Sequence, residues 1–304
     1  MLSLKKGSRG FQASKLLWEG IMAVTKIGVI GAGVMGHGIA QVAAQSGFIV
    51  VLVDIKMEFV ESGMEKIKKF LEEGVKRGKI SKEDVSLIMG RIKGTTGLTE
   101  ISRVDLIIEA ATEDLASKKE IFSKLSEMSN SNVVFATNTS YQSITELGRA
   151  SKRSERFVGM HWFNPPQLMR LVEVVKGRGT SDEAINFVVE ICKKLGKVPI
   201  VCKDSPGFIV NRILQPWYNE AMNILDEGVA SAEDIDKAIK LGGGFRMGPL
   251  ELRDLVGLDT ALKGTESIYQ QLADEKFKPP QCLIKNVQAG YFGRKTGRGF
   301  YEYK

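Results

Sequence analysis

A chain of 304 residues with 43% apolar and 26% charged residues has the composition of a soluble globular protein, long enough for one broad core or two domains. Three cysteines, Cys192, Cys202 and Cys282, are too few and too scattered for a disulfide scaffold or a zinc site, which suits a reducing cytoplasm. No apolar run approaches the ~20 residues that span a bilayer, and the net charge of +7 comes without the basic block or aromatic interleaving of a nucleic-acid binder.

Of that charge, +3 lies in residues 1–21, where Lys5, Lys6, Arg9 and Lys15 face Glu19. This basic extension has no clear periodicity, and an organellar transit peptide would share its composition. The simpler expectation is a start assigned upstream of Met22. Trp18-Glu19-Gly20 can be encoded by TGG GAG GGN, which resembles a bacterial ribosome-binding site. The expected organisation is therefore an extension over 1–21, a dinucleotide-binding domain over 22–205 and an all-helical domain over 206–304.

From Lys26 to Asp54 the chain reads strand, turn, helix, strand. Lys26–Ile30 is an apolar, β-branched run, and the loop from Gly31 to Gly36 punctuates it. Residues 39–44 are small and apolar at helical spacing, Gly47 caps that helix, and 48–53 is a second buried strand. In a GxGxxG turn the first glycine makes the tight bend, the second admits a pyrophosphate, and the third lets helix and strand pack closely. The helix N-terminus then offers free N–H groups to the phosphates. Gly31, Gly33, Val34, Met35 and Gly36 are the expected cradle, and the strand before, the helix after and the acid closing the next strand supply the context that the motif needs. Asp54, at the tip of the second strand, suits an adenosine ribose and repels a 2′-phosphate, favouring NAD over NADP.

A long helix is expected next. Val60, Met64, Ile67, Leu71 and Val75 form its apolar stripe, while Lys66, Lys69, Glu73 and Lys76 share a face that is either solvated or turned to a ligand phosphate. Gly78-Lys79 breaks it, and Ser81 with Asp84 starts another helix with a capping-box pattern. The parallel sheet resumes with strands at 105–109 (DLIIE), 132–137, 156–160, 171–175 and 198–202, with helices after 113 and around 184–195. Such alternation predicts a doubly wound, mostly parallel α/β sheet. Past Lys203-Asp-Ser-Pro-Gly207 strands almost vanish, and helices are expected at 208–227, 232–241, 250–256, 259–272 and 283–289. The first of these carries Ile209, Ile213, Trp217 and Met222 without a solvent-facing amphipathic pattern, so a homodimer through this domain is expected.

The polar candidates share one position. The glycine loop, Asp54, Glu109 to Glu113, Asn138 to Ser140 and His161 all fall at the carboxyl ends of expected strands, where open α/β sheets bind ligands. Of the two histidines, His37 lies in the glycine loop beside cofactor or solvent. His161 lies on a strand whose antiparallel pairing with 171–175, centred near Gln167, would put Glu173 opposite it. A histidine–carboxylate pair suits proton transfer, although a lone histidine is more often structural and Glu173 has an alternative as an edge-strand charge. Ser140 has no nucleophile elbow around it, so a hydrogen-bonding role toward a substrate oxygen fits better. Asn211 opens the first helix of the second domain and is expected to face the cleft between domains.

The stretches GVIGAGVMGHGIAQVAAQSG, ATNTSYQSI, GMHWFNPPQLMRLVEVVKG, KDSPGFIVNRIL, MGPLELRDLVGLD and GRKTGRGFYEY together resemble the L-3-hydroxyacyl-CoA dehydrogenases, especially the short bacterial 3-hydroxybutyryl-CoA dehydrogenases. The likeness runs from about Met22 to Lys304. It implies NAD-dependent oxidation of a 3-hydroxyacyl-CoA thioester, in fatty acid β-oxidation or butanoate metabolism. It also implies that His161 is the general base or acid with Glu173 its partner, and that Ser140 and Asn211 hydrogen-bond the substrate. Asp54, Glu113, Lys118, Ser140, Asn164 and Lys295 fall where that family contacts NAD, and Arg77 where it presents a basic residue to coenzyme A. Phe70 departs from the polar residue that some relatives carry there. Two rivals stand beside this reading: a hydroxy-acid or sugar-acid dehydrogenase of similar architecture, and a non-catalytic NAD-binding sensor.

Overall fold

The computed structural model describes residues 25–303, so the expected extension over 1–21 and a start at Met22 lie outside the described residues. The chain divides into two compact units between Asp204 and Ser205.

The first unit is built on one sheet of eight strands: β1 (Lys26–Ile30), β2 (Ile49–Val53), β3 (Ile92–Thr95), β4 (Leu106–Glu109), β5 (Val134–Thr137), β6 (Phe157–Trp162), β7 (Leu171–Lys176) and β8 (Val198–Lys203). Their order across the sheet is β3-β2-β1-β4-β5-β6-β7-β8. Every neighbouring pair is parallel except β6 and β7. The order reverses between β1 and β4, which opens the crevice at the carboxyl ends where such sheets take ligands. Parallel neighbours need crossovers, and the chain supplies helices for them: α1 (Val34–Gln45), α2 (Met57–Lys76), α3 (Lys82–Gly90), α4 (Leu98–Ile101), α5 (Leu115–Met128), α6 (Ile144–Ala150) and α7 (Asp182–Lys194). The antiparallel β6 and β7 need only the short turn that joins them. The core lies where α1 and α7 cover strands with consecutive apolar residues, among them Ile27, Val29, Leu52, Ile108, Val158 and Val174.

The doubly wound sheet is as the alternation of elements predicts, and the two helices α2 and α3 form the expected pair. Ser81 and Asp84 close a full capping box at the start of α3, and Val60, Ile67 and Leu71 of the α2 stripe are buried. The strand β3 has no counterpart among the expected strands. Its four residues, IKGT, sit at the sheet edge with Lys93 exposed, and Gly94 lies so close under Val60 that a Cβ would come within 2.4 Å of it. A charge and a glycine inside so short a run remove the apolar signature.

The second unit is all-α: α8 (Val210–Asp226), α9 (Ala232–Gly243), α10 (Pro249–Val256), α11 (Leu258–Leu272) and α12 (Gln281–Gln288). Tyr218, Met222, Ile235, Leu250, Leu258 and Leu283 form its core. Asp254 on α10 accepts hydrogen bonds from Phe300 N, Tyr301 N and the Tyr303 hydroxyl, stitching the chain's last residues to this helix. Among the described residues no helix is long and apolar enough to cross a membrane.

Candidate active site

The glycine loop follows β1 at the switch point. Gly31 has φ +93°, a conformation that disfavours a side chain, and a Cβ there would stand 2.5 Å from Ala110 O. Gly36, inside α1, lies against the loop itself: its Cβ would sit 1.7 Å from Gly31 O. Gly33 is the N-cap of α1 and supplies no side-chain cap, and the first turn carries no acid. The opening N–H groups of α1 are therefore left for an anion rather than for a neighbouring side chain. Asp54, one residue past β2, accepts from Ala32 N at 2.7 Å and from Ile55 N at 2.7 Å. Its carboxylate thus holds the loop in place as well as marking the strand end.

Glu109 closes β4 fully buried, and it is tied on three sides. Lys118 Nζ on α5 donates to Oε1 at 2.7 Å, Ala111 N donates to the same oxygen at 2.8 Å, and Thr137 Oγ1 of β5 donates to Oε2 at 2.6 Å. Lys118 is itself only 1% exposed and lies 3.7 Å from Glu113 Oε2. Glu113 in turn accepts from Ser140 N at 2.8 Å and from Thr139 Oγ1 at 2.7 Å. Charge-assisted hydrogen bonds at Glu109 and at Glu113, joined by the 3.7 Å Lys118–Glu113 ion pair, therefore link the end of β4 to the loop that carries Ser140. The Lys118 ammonium is held between these two glutamates.

His161 and Glu173 face each other across the antiparallel β6–β7 pair. His161 Nδ1 and Glu173 Oε2 are 2.6 Å apart, and both residues are buried. A carboxylate at Nδ1 fixes the tautomer of a neutral ring with its proton on Nδ1. The Phe163 ring lies against the imidazole, centroids 4.6 Å apart. Asn138, just past β5, accepts from Trp162 N at 2.9 Å and so ties the end of β6 to its neighbour. Asn164 follows, exposed and joined to Pro165 by a cis peptide.

Other ionisable groups nearby are poor proton carriers at neutral pH. Burial, with Glu113 beside it, pushes the Tyr141 phenol up to about 12, and burial with Glu173 and Asp204 nearby does the same to the Cys202 thiol. His37, in α1, pairs through Nδ1 with Gly33 O at 2.6 Å, and burial together with the Lys66 charge lowers its pKa, so it stays neutral.

The carboxyl ends of β1, β2, β4, β5 and β6 thus gather the glycine loop, Asp54, Glu109, Glu113, Ser140 and His161 in the first unit. Arg77 caps the far end of α2, exposed, as is Phe70. Asn211 and Lys295 belong to the second unit. Asn211 is the second residue of α8, and Lys295 is ion-paired with Asp259. The sequence places Glu109 at a strand end, but it does not single out Thr137, whose partner Glu109 lies on a strand far away in the chain.

Residues 26–205 match the family model for the 3-hydroxyacyl-CoA dehydrogenase NAD binding domain, and residues 207–303 match the model for the C-terminal domain of the same family. The chain is 48% identical over 278 residues to a probable 3-hydroxybutyryl-CoA dehydrogenase of Deinococcus radiodurans, covering 91% of this chain and all of that one. It is 45% identical to a 3-hydroxybutyryl-CoA dehydrogenase of Bradyrhizobium diazoefficiens, with 92% and 96% of the two chains covered. The crystal structure of an (S)-3-hydroxybutyryl-CoA dehydrogenase from Ralstonia eutropha superimposes with a TM-score of 0.89 at 44% identity, covering 93% of this chain and all of that one. With both halves matched and the switch-point loop, acidic strand tip and histidine–carboxylate pair in place, this chain belongs to the 3-hydroxyacyl-CoA dehydrogenases, its first unit being their NAD-binding domain.

Proposed function

We propose that this member of the family interconverts (S)-3-hydroxyacyl-CoA and 3-ketoacyl-CoA of short chain length, with acetoacetyl-CoA and 3-hydroxybutyryl-CoA as the working pair. The observation that carries the chemistry is the buried 2.6 Å contact between His161 and Glu173. The choice of short chains rests on the relatives, several of which bear the name 3-hydroxybutyryl-CoA dehydrogenase. The uncapped start of α1 and the carboxylate of Asp54 fit NAD, with Gly31, Gly33, Val34, Met35 and Gly36 at its pyrophosphate and Asp54 at its ribose. Glu113, Lys118, Ser140, Asn164 and Lys295 complete the proposed cofactor contacts, Lys118 through the carboxylates that enclose it. When bound, the nicotinamide supplies the acceptor or donor of the hydride at C3.

The residues of the chain do the rest. His161 takes the proton from the 3-hydroxyl at Nε2 as the carbonyl forms, while Glu173 holds the ring and stabilises the imidazolium. In the reverse direction the protonated ring returns that proton to the 3-keto oxygen. Ser140 and Asn211 are assigned to hydrogen bonds with the substrate oxygen, and Arg77 to a phosphate of coenzyme A. General acid–base help of this kind contributes ~10²–10⁴-fold to a rate.

A homodimer through the second unit is part of the same reading. It is supported by exposed apolar side chains there: Ile213, Val229, Leu241 and Phe245, the last stacked on Trp217 with centroids 5.0 Å apart. Three free thiols suit a reducing cytoplasm. NADH oxidation measured across a series of 3-ketoacyl-CoA chain lengths, with free 3-keto acids and keto-sugar acids in parallel, tests the substrate. The expected result is highest kcat/KM on acetoacetyl-CoA. Preference for a free acid would overturn the thioester assignment, and absence of NADH oxidation with every 3-ketoacyl-CoA would leave a cofactor sensor.

A further inference from the structure

The hairpin that carries His161 and Glu173 is held from outside by a lysine that the dehydrogenase chemistry does not use. The turn between β6 and β7 contains Asn164, Pro165, Pro166 and Gln167, and within it Leu168 N and Met169 N both donate to Pro165 O at 3.0 Å. Lys197 precedes β8. Its ammonium enters this turn and donates to Pro166 O at 2.5 Å and to Met169 O at 2.9 Å. It also stands 5.5 Å from the centre of the Trp162 ring, on the residue next to His161. The side chain is 8% exposed, and burial lowers its pKa.

From the other side the same turn rests on α1, the helix that receives the cofactor phosphates. Gln167 Nε2 donates to Gln41 Oε1 at 3.1 Å. A Cβ at Gly38 would come to 2.9 Å from Gln167 Oε1 and 3.0 Å from the Pro166 ring. The turn is therefore wedged between the dinucleotide helix and the Lys197 ammonium, with Asn164 at one end and the two strands of the dyad leading away. Taking an ammonium out of water is costly unless its charge is met by acceptors. A surface turn serving only to reverse the chain needs no such group, since its carbonyls could face solvent.

We propose that Lys197 is a positioning residue: by binding the Pro166 and Met169 carbonyls it fixes the β6–β7 turn and sets the placement of His161 and Asn164 for reaction. The inference rests on His161 being the proton-transfer group. A displacement of about 1 Å in a reacting group can cost on the order of 10²-fold in rate, so a loosened turn should act on turnover more than on binding.

The test uses the full chain with Lys197→Met, which keeps the apolar stem over Trp162 and removes the donors. Lys197→Leu, which likewise has no donor, carries the same test should the methionine variant not accumulate folded. Hydrogen exchange in the peptide covering 163–170, the number of NADH sites per chain, and kcat and KM on acetoacetyl-CoA are measured for each. The expected result is faster exchange in that peptide, an unchanged number of NADH sites, and kcat per site lower by on the order of 10–100-fold with little change in KM. Unchanged exchange overturns the proposal, as does normal kcat per NADH site. A fall in kcat that only follows a loss of NADH sites overturns it too, because that is simple unfolding. His161→Gln, assayed alongside, separates the two assignments: full turnover there removes His161 from the chemistry, and the exchange data then decide whether Lys197 holds the turn.

Discussion

Lys118 and Glu109 are opposite charges almost without access to water, at 1% and 0% exposure, and their 2.7 Å contact is the deepest ion pair described in the first unit. Such a pair adds little net stability over an apolar pair, but removing one member strands the other charge in the core. Lys118→Met should therefore destabilise the protein by about 3–5 kcal/mol, read by urea unfolding. A loss below ~1 kcal/mol would mean that water or a neighbour replaces the ammonium, against the closed network drawn above. Because Glu113 holds Ser140 N, the same variant should also weaken NADH binding. Asp54 works at this scale too. Its two oxygens hold Ala32 N and Ile55 N, so the carboxylate that would face a ribose is already oriented. Higher kcat/KM with NADH than with NADPH is expected, and Asp54→Ala should narrow that ratio while raising the KM for NADH. A wild-type protein more efficient with NADPH would contradict the role given to Asp54.

At the scale of elements, the strands with continuous apolar runs were legible in sequence to within two residues at either end, and so were the five helices of the second unit. The pairing of His161 with Glu173 could also be read, because two short arms around a Pro-Pro turn allow one centred register, and the observed partners are those two residues. Strand β3 was not legible, since Lys93 and Gly94 interrupt its pattern. Lys197 was not either: its acceptors are backbone carbonyls, which leave no mark in side-chain identity. The same blindness covers a polar thread in the helical unit. Arg253 on α10, buried, donates to Gln215 Oε1 at 2.6 Å and stacks 3.8 Å over Tyr218. Gln215 donates to Asn219 Oδ1 at 2.8 Å, and Asn219 donates to the carbonyls of Lys276 and Lys278. Burial lowers the Arg253 guanidinium to about 10, and its Nε finds no acceptor among the described residues. Arg253→Leu alone leaves the Gln215 oxygen buried without its donor and should cost about 1–3 kcal/mol. The double variant Arg253→Leu/Gln215→Met should cost less than the two single losses added together, measured by urea unfolding. Additive losses would show that the two residues act separately.

At the scale of the whole molecule, the second unit presents large apolar side chains to solvent on a single chain: Ile213 at 68% exposure, Leu241 at 77% and Val229 at 69%. Apolar residues scattered singly are ordinary on a monomer, so the proposed dimer is tested by mass and not by their exposure. A mass of two chains in solution at micromolar concentration is expected, and Ile213→Lys with Leu241→Lys should shift it to one chain. A monomeric wild-type mass would contradict the dimer. Asn211 and Lys295 lie in this unit, apart in sequence from the nucleotide-binding residues, and no local pattern marks either of them. Their assignments came from the resemblance alone.

A double-mutant cycle on acetoacetyl-CoA reduction by NADH tests the proton-transfer pair most directly. His161→Gln should keep NADH affinity and the unfolding midpoint while lowering turnover by ~10²–10⁴-fold. Glu173→Gln should lower turnover as well, and the double variant should be little worse than His161→Gln, since groups acting as one unit give non-additive losses. Near-normal turnover in His161→Gln would contradict the mechanism, and fully additive losses would remove Glu173 from it.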